Sequence, residues 1–342
     1  MKRNGLPPKR VAILYTPVED TLRDIKGQMR VDLDLAVSAG QVRAALVHGG
    51  HTAHPFAFGQ DPVVLGSKLR TFDADAVFNL SECPMNSAQK EPHGAAFLEL
   101  LGLPYTGNSP LPLTICNNKA LTKRILSSYG IPTPAFRLYA AVPGGRSGLR
   151  FPVIVKPANE DGSAGITEES VVDDEAGLKK QVAHVVDRYG QEALAEEYVG
   201  GREFNVGILG NGTEADPFRT MPPAELVYRN PKWRVCSFES KWDTSHPSYA
   251  EIDPECPART PDALRKRLQR LTLTCARVFQ LCGYARVDFR MGRNGKLHVL
   301  EVNPNPDISE NAGLSRAARA AGLSHEELIQ EILHLAVSRG PR

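Results

Sequence analysis

The segment YARVDFRMGRNGKLHVLEVN, residues 284–303, joins two runs of alternating polar and apolar residues through a turn signal. The signal is Asn294-Gly295, a pair typical of two-residue β-hairpin loops. It predicts an antiparallel hairpin in which Arg293 faces Lys296. The partner of every other residue in the hairpin follows from that register.

Polar residues cover one face of this hairpin, because side chains alternate between the two faces of a strand. The register places Asp288 opposite Glu301 and Arg286 opposite Asn303. We expect the other face to pack against the core, since its side chains are apolar: Val287, Phe289, Met291, Leu300 and Val302.

The opposed carboxylates of Asp288 and Glu301 would repel each other across the hairpin. A divalent cation between them removes the repulsion, and carboxylate and amide oxygens suit Mg²⁺. The alternative is a solvated polar face on which Arg286 and Arg290 pair with the acids. Two prolines in PNPD, residues 304–307, stiffen the loop beside the acids and favour the metal site.

A second candidate site combines Lys156 with the glycine loop DGSAG at residues 161–165. Lys156 lies near the end of the apolar run FPVIVKPA, where a lysine suits contact with a phosphate group. The loop offers backbone N–H groups with little side-chain hindrance, and such a nest can bind phosphate. Taken alone, the lysine could reach the surface and the loop could be an ordinary turn.

Strand and helix patterns alternate in the first part of the chain, whereas hairpins and helices mix in the remainder. We predict an α/β protein with a doubly wound first domain that ends near the prolines of residues 109–113, followed by an α+β part. The predicted strands are 10–16, 73–82, 151–158 and 191–199, with a hairpin over 201–218 that turns at Asn211-Gly212. The predicted helices are 31–50, 92–102, 118–130, 173–190, 261–283, 311–321 and 325–338, the last with a capping-box pattern at Ser324 and Glu327.

The composition is that of an ordinary globular protein, and the 342 residues are enough for two or three domains. Lys and Arg number 41 against 39 Asp and Glu, a net charge of +2 that argues against nucleic-acid binding through bulk charge. No run approaches the ~20 apolar residues of a membrane span, so we expect no membrane partner.

The short apolar run VAILY after the basic start falls below the roughly seven residues of a signal-peptide core. We therefore expect a cytoplasmic protein whose six cysteines, none in a CxxC pair, are reduced. Common catalytic and phosphate-binding motifs are missing from the sequence: GxxxxGK followed by Ser or Thr, GxGxxG after a strand, and HExxH.

Seven strings in order along the chain resemble the D-alanine–D-alanine ligase family of ATP-grasp enzymes. They are LGLPYTG (101–107), NK (118–119), FPVIVKPA (151–158), EEYVGGREF (196–204), ESKW (239–242), RVDF (286–289) and LEVNPNPDIS (300–309). The resemblance implies an ATP-grasp fold whose N-terminal, doubly wound pre-ATP-grasp domain covers residues 1–112. A central lid domain would cover 113–200 and a C-terminal domain with the metal site 201–342, with ATP between these two.

The same resemblance implies a role for individual residues. The phosphates of ATP would contact Lys119, Lys156, Ser163 and Lys241, and the hinge strand that reads adenine would contribute Glu196, Glu197 and Val199. Glu203 would bind the ribose hydroxyls, and a pair of Mg²⁺ ions, or Mn²⁺ in their place, would be held by Asp288, Glu301 and Asn303. Catalysis would rest on Arg286 and Lys241, and the substrate would face Glu19, Trp242 and Asp307.

The implied reaction is amide formation in two steps. A substrate carboxylate attacks the γ-phosphate of ATP to give an acyl phosphate, and an amine then attacks the acyl carbon. Mg²⁺ and the lysines would offset the charge that develops during phosphoryl transfer. The expected partners are a small-molecule carboxylate and a small-molecule amine, and the resemblance implies a homodimer.

The sequence departs from the family pattern on the substrate side. Gly162 replaces a serine, Trp242 a tyrosine and Asp307 a glycine, while Ala312-Gly313 replaces Ser-Leu. We therefore expect substrates other than two D-alanines, with a cationic or hydroxyl group to meet Asp307. A true D-alanine–D-alanine ligase and a non-catalytic nucleotide-binding module are the alternatives, and Asp307 could instead cap the helix that follows.

Overall fold

The computed structural model describes residues 6–16, 28–59, 61–160, 162–229, 235–242 and 245–342. Its strands are β1 (Arg10–Tyr15), β2 (Thr52–Ala57), β3 (Ala76–Leu80), β4 (Phe136–Tyr139), β5 (Val153–Pro157), β6 (Val171–Val172), β7 (Ala193–Glu197), β8 (Gly201–Gly210), β9 (Arg219–Thr220), β10 (Ala224–Tyr228), β11 (Ile252–Glu255), β12 (Gly283–Gly292) and β13 (Leu297–Asn303). Its α-helices are α1 (Gln28–His48), α2 (Pro62–Phe72), α3 (Glu91–Leu100), α4 (Pro110–Cys116), α5 (Lys119–Ser128), α6 (Glu175–Tyr189), α7 (Phe238–Trp242), α8 (Asp262–Val278), α9 (Gly313–Ala320) and α10 (His325–Arg339).

The amino-terminal sheet has the order β2-β1-β3, and all its strands are parallel. Val11 and Ile13 on β1 pack against α1 and α10, whereas Ala12 and Leu14 pack against α2 and α3. Helices on both faces confirm the predicted doubly wound arrangement. The sequence patterns had missed β2 and α2; Asp61 caps α2 by accepting hydrogen bonds from two backbone N–H groups.

The central sheet has the order β4-β7-β5-β6 and is antiparallel. Val153 and Val155 of β5 are buried beneath α6, and Ile154 is buried on the other face against Val171, as the continuous apolar run of this strand predicts. Asp174 caps α6 through the backbone N–H of Gly177, and Gly190 ends the helix in the left-handed conformation, with φ +62°.

The carboxy-terminal sheet has the order β11-β10-β8-β12-β13, with the short β9 paired to β8. Its longest pairing joins β8 to β12 over their full lengths. Apolar side chains on one face of these strands pack against α8. The connection from β8 to β9 spans residues 211–218, so the predicted two-residue turn at Asn211-Gly212 is wrong.

The hairpin of β12 and β13 keeps the predicted register at its functional end: Asp288 opposes Glu301, and Arg286 opposes Asn303. The turn differs from the prediction, because Gly292 rather than Arg293 bonds to Lys296. The loop therefore has three residues, and its last, Gly295, has φ +74°.

A β-bulge beyond Asp288 compensates for this longer loop and restores the register. Leu300 is the extra residue and lies half-buried, outside the core, contrary to the prediction. Val302 is buried in the core as predicted, and the other core positions on β13 are Leu297 and Val299.

The last helix ties the end of the chain to its beginning. The predicted capping box at Ser324 and Glu327 is present and starts α10, whose apolar side chains share a core with α1, α9, β1 and β3. The domain boundaries at residues 112 and 200 stay a prediction. Among the described helices, none combines the length and apolar composition of a transmembrane segment.

Candidate active site

The polar end of the β12–β13 hairpin is built around Asp288. Arg286 donates two hydrogen bonds to its carboxylate, from Nε to Oδ1 and from Nη2 to Oδ2, each 2.8 Å long. The side-chain amide of Asn303 donates to Oδ2 at 2.9 Å. Part of the alternative interpretation is thus correct, since Arg286 pairs with an acid, while Asp288 still lies opposite Glu301 in the register of the hairpin.

Glu301 opposes Asp288 and receives a different cation. The Nζ atom of Lys119 lies 3.1 Å from Glu301 Oε1 and also donates to the backbone carbonyl of Glu160. Lys119 is the first residue of α5, which Asn118 caps through the N–H of Leu121. The helix start therefore places one ammonium between the hairpin and the glycine loop.

Lys156 does not reach the surface but forms a buried ion pair. Its Nζ lies 2.7 Å from Glu196 Oε1 across the central sheet. A second lysine, Lys123, lies 2.5 Å from Glu196 Oε2 and is only 1% exposed. Sequence analysis missed Lys123, although its position four residues after Lys119 on α5 places the two lysines on one helix face.

These ion pairs set the protonation of the buried acids. Burial alone would raise the pKa of Glu196, but Lys123 and Lys156 lower it to about 2. Burial likewise opposes ionisation of Glu301, and Lys119 and Lys156 lower its pKa to about 2. Burial raises the pKa of Asp288 above its usual range, against the opposing effect of Arg286.

Glu203 on β8 lies opposite Arg290 on β12. Its Oε2 atom accepts hydrogen bonds from Arg290 Nε at 2.8 Å and from the Tyr228 hydroxyl at 2.6 Å. Arg290 was expected to pair with the hairpin acids if it paired at all; the structure joins it to the neighbouring strand instead.

The hinge consists of the end of β7 and the residues up to β8, and it joins the central sheet to the carboxy-terminal sheet. Glu197 accepts two-pronged hydrogen bonds from the exposed Arg150. The backbone carbonyl of Val199 accepts a hydrogen bond from Arg290 Nη1 at 3.3 Å. The three hinge residues named from the sequence thus occupy one continuous segment beside Lys156 and Glu203.

The glycine loop is tied to the segment before α7. Ser163 donates its hydroxyl hydrogen bond to the carbonyl of Cys236 at 2.9 Å, and the N–H of Phe238 donates to the carbonyl of Ile166. Gly162 and Ser163 both adopt positive φ, at 62° and 66°. Lys241 lies on α7, and its charge opposes the effect of burial, which raises the pKa of the Cys236 thiol.

Asp307 lies in a cleft between the amino-terminal sheet and the turn after β13. Its carboxylate accepts from the backbone N–H of Ser309 at 2.8 Å and from the Ser309 hydroxyl at 3.1 Å. It does not cap α9, whose N-cap residue is Ala312. The cleft is lined by Ser38, Asn79, Ser81, Glu82, Glu91, Tyr284, Asn305 and Asp307, among others.

Glu19 and the side chain of Trp242 lie outside the described residues.

Asp288, Glu301 and Asn303 supply two carboxylates and an amide at the end of one hairpin. In the part of the chain that the structure describes, no group of three or more His, Cys, Asp and Glu side chains could hold a metal ion. A closed protein-only metal site is therefore missing from those residues. The donor set fits Mg²⁺, which keeps water and phosphate oxygens in its coordination shell.

Comparison with known proteins gives this arrangement a family. The family profile described as "D-ala D-ala ligase C-terminus" matches residues 141–334, more than half of the chain. The chain belongs to the D-alanine–D-alanine ligase family. The D-alanine–D-alanine ligase of Bordetella petrii is 30% identical over 317 residues, which cover 92% of this chain and 91% of the relative. The uncharacterized protein y4sG of Sinorhizobium fredii is 35% identical over 265 residues, 77% of this chain and 75% of the relative.

Solved structures show the same fold. The D-alanine–D-alanine ligase from Bacillus anthracis, crystallised in complex with ATP, superimposes with a TM-score of 0.74 at 21% identity, covering 97% of this chain and 98% of that one. The ATP-grasp fold expected from the sequence is confirmed, and so is the enzyme class, a ligase that forms carbon–nitrogen bonds.

Proposed function

We propose that this family member is an ATP-dependent carboxylate–amine ligase that works through an acyl phosphate, with substrates other than two D-alanines. One observation carries the proposal. Lys119, Lys156 and Arg286 meet Asp288 and Glu301 where the central sheet and the β12–β13 hairpin come together. Phosphoryl transfer needs cations placed around the transferred group, and this cluster can supply them.

Lys119 and Lys156 would bind the phosphates of ATP. Each ammonium is already held by a carboxylate, the half-buried Glu301 or the buried Glu196, so its position is set before nucleotide arrives. A lysine held in this way costs less ordering entropy on binding than a freely moving one. Lys241 and the backbone of the Ser163 loop would complete the contacts to the phosphates.

Asp288, Glu301 and Asn303 would hold Mg²⁺, for which Mn²⁺ is an alternative. When bound, Mg²⁺ supplies positive charge that offsets the charge developing on the transferred phosphoryl group. The carboxylate of Asp288 also orients Arg286 through both guanidinium hydrogen bonds. Arg286 would then stabilise the oxyanion when the amine attacks the acyl phosphate.

Nucleoside recognition would use the hinge and β8. Glu196, Glu197 and Val199 would read adenine, and Glu203 would accept hydrogen bonds from ribose hydroxyls. The loop with Gly162 and Ser163 is linked to Cys236, and it would cover the phosphates and protect the acyl phosphate from water.

The substrate cleft favours an amine with a cationic or hydroxyl group. Glu82, Glu91 and Asp307 contribute carboxylates to its lining. A second substrate that presents only a carboxylate to this cleft would meet like charge, which disfavours binding in a partly buried place. Glu19 and Trp242 are proposed to face the same substrates, and we propose that the enzyme acts in the cytoplasm as a homodimer.

A true D-alanine–D-alanine ligase is the second candidate. The relative from Bordetella petrii favours it, because its name states that activity and the match covers nearly both whole chains. The two candidates share the ATP chemistry and differ only in the substrates.

The proposal is tested by a coupled assay of ADP release with Mg-ATP against a panel of amino acids and small carboxylic acids. We expect ADP release that requires both a carboxylate and an amine. Nucleotide binding without turnover on any pair would contradict the ligase function and favour a non-catalytic module.

A further inference from the structure

Arg290 is a buried cation that the ATP chemistry above does not use. It lies on β12 directly opposite Glu203 on β8, and both side chains lie on the polar face of the carboxy-terminal sheet. Tyr228 lies on the next strand, β10, two positions beyond the residue that pairs with Glu203. Three neighbouring strands thus place these side chains in one row.

Within this row, the hydrogen bonds from Arg290 and Tyr228 reach one carboxylate oxygen of Glu203. Oε2 accepts from Arg290 Nε at 2.8 Å, from Arg290 Nη2 at 2.5 Å and from the Tyr228 hydroxyl at 2.6 Å. No hydrogen bond from any described residue reaches Oε1. The carboxylate is therefore fixed through one oxygen and presents the other for a further donor.

The remaining nitrogen of Arg290 contacts the hinge. Nη1 donates to the Tyr198 hydroxyl at 2.9 Å and to the Val199 carbonyl at 3.3 Å. The guanidinium carbon lies 5.3 Å from the ring centroids of both Tyr198 and Tyr228. With 5% of its surface exposed, Arg290 joins the ribose-side carboxylate to the adenine-side backbone.

Stability alone is a weak reason for such a group. A buried ion pair is often no more stabilising than apolar residues of the same volume, because both charges lose their hydration. The same contacts do fix orientation, since a guanidinium has a rigid planar fork of donors. Its hydrogen bonds hold one carboxylate oxygen and one hinge carbonyl at a constant separation.

We propose that Arg290 is a positioning residue for nucleoside recognition: it holds Glu203 so that Oε1 accepts a ribose hydroxyl while the hinge stays in register for the base. This inference rests on the proposed binding of ATP. The enzyme would therefore discriminate against nucleotides that lack the ribose hydroxyl facing Glu203, and that discrimination would depend on Arg290.

Calorimetric titration of the full chain with Mg-ATP, Mg-2′-deoxy-ATP and Mg-3′-deoxy-ATP tests this. The parent should bind ATP about tenfold or more tightly than at least one deoxy analogue, since hydrogen bonds to a charged group are strong. Arg290→Met should weaken ATP binding about tenfold and reduce the discrimination ratio to within about twofold of one. Arg293→Met, on the exposed hairpin turn, is the matched control and should change neither.

The ratio separates a positioning role from a structural one, because general loosening weakens all three nucleotides equally and leaves their ratio intact. An unchanged ratio in Arg290→Met would overturn the inference. If that variant does not fold, two milder variants replace it: Tyr228→Phe and Arg290→Lys, both of which keep a positive charge at position 290. Each should lower the discrimination ratio at least threefold. An unchanged ratio in both variants would also overturn the inference. No binding of any nucleotide by the parent would instead refute the proposed ATP site.

Discussion

The proposed nucleotide-binding side and the proposed substrate cleft of this ligase differ in the groups that hold their carboxylates. On the nucleotide side four acids have cationic partners: Asp288 with Arg286, Glu301 with Lys119, Glu196 with Lys123 and Lys156, and Glu203 with Arg290. In the cleft, the hydrogen bonds described for Asp307 come from the backbone and hydroxyl of Ser309. Those described for Glu91 come from the amides of Asn117 and Asn305.

This difference separates what the family shares from what this chain changes. Most residues of these ion pairs lie in strings that match the family pattern, whereas Lys123 and Arg290 lie outside those strings. The charges of these pairs suit a triphosphate and a metal ion. The cleft includes Asp307, where the sequence departs from the pattern, and the Asp307 carboxylate accepts hydrogen bonds from the neutral donors of Ser309. Membership of the family therefore indicates the type of reaction, whereas the identity of the substrates must be inferred from the residues that line the cleft.

The largest expected effect comes from the hairpin acids. Asp288→Asn and Glu301→Gln should each lower kcat on the order of 10³-fold, because each removes charge from the proposed Mg²⁺ site. Each variant should also lose the additional thermal stabilisation that Mg²⁺ gives to the ATP-bound enzyme. Asp187→Asn, on the exposed face of α6, is the control and should behave as the parent. Parent-like kcat at limiting Mg²⁺ would place the metal elsewhere.

Loss of the buried carboxylate on the central sheet should affect stability strongly. Glu196→Gln leaves Lys123 and Lys156 buried without their shared anion and should cost about 3 kcal/mol or more of unfolding free energy. The neighbouring Glu197→Gln should cost below about 1 kcal/mol, since its partner Arg150 is 87% exposed. Urea denaturation measures both, and equal losses would contradict the assigned ion pairs.

The same buried acid predicts a pH dependence. The folded-state pKa of Glu196 is about 2 against an ordinary value of 4.5, so its stabilising contribution is complete above pH 4.5. The contribution is lost progressively as the pH falls from 4.5 towards 2, because the unfolded state takes up the proton first. The stability gap between parent and Glu196→Gln should therefore be smaller at pH 3 than at pH 6. A gap that stays constant between these two pH values would show that Glu196 is not held ionised by the lysines.

The cleft should give the smallest effect. Asp307→Asn removes the charge but keeps an acceptor for the Ser309 N–H, and it should lower kcat/KM for a cationic amine about tenfold. The affinity for Mg-ATP should stay at the parent value, which isothermal titration can check. Glu310→Gln, an exposed change nearby, is the control. An unaltered kcat/KM would mean that Asp307 only forms the local turn.

Sequence patterns predicted the polar end of the hairpin correctly through two errors that cancel. The loop contains Arg293 in addition to Asn294-Gly295, and this extra loop residue shifts the pairing of the two strands by one position. The extra residue Leu300 in β13 shifts the pairing back. The predicted pairing of Asp288 with Glu301 is correct, and on the core face Val287, Phe289 and Val302 are buried as predicted, whereas Leu300 is not. Local turn propensity carries no information about a bulge, which depends on how the strand packs against its neighbours.

Tyr228 and the true partner of Arg290 could not be predicted from the sequence for a related reason. The order of the strands places β8 beside β12, and 72 residues separate the ends of the two segments that meet there, Gly210 and Gly283. Alternation along a strand predicts which face a residue lies on, not which strand lies beside it. Strand β2 was missed because TAHPFA contains a proline and a histidine that weaken its strand pattern.

The most direct test of the account is the identity of the product. The purified enzyme is incubated with Mg-ATP and D-alanine, and in parallel with Mg-ATP and pairs of a small carboxylic acid and an amine that carries a cationic or hydroxyl group, followed by mass spectrometry. We predict little or no D-alanyl-D-alanine and an amide product, formed with one ADP per bond, in at least one of the parallel reactions. Efficient synthesis of D-alanyl-D-alanine would contradict the account and make the protein a true D-alanine–D-alanine ligase.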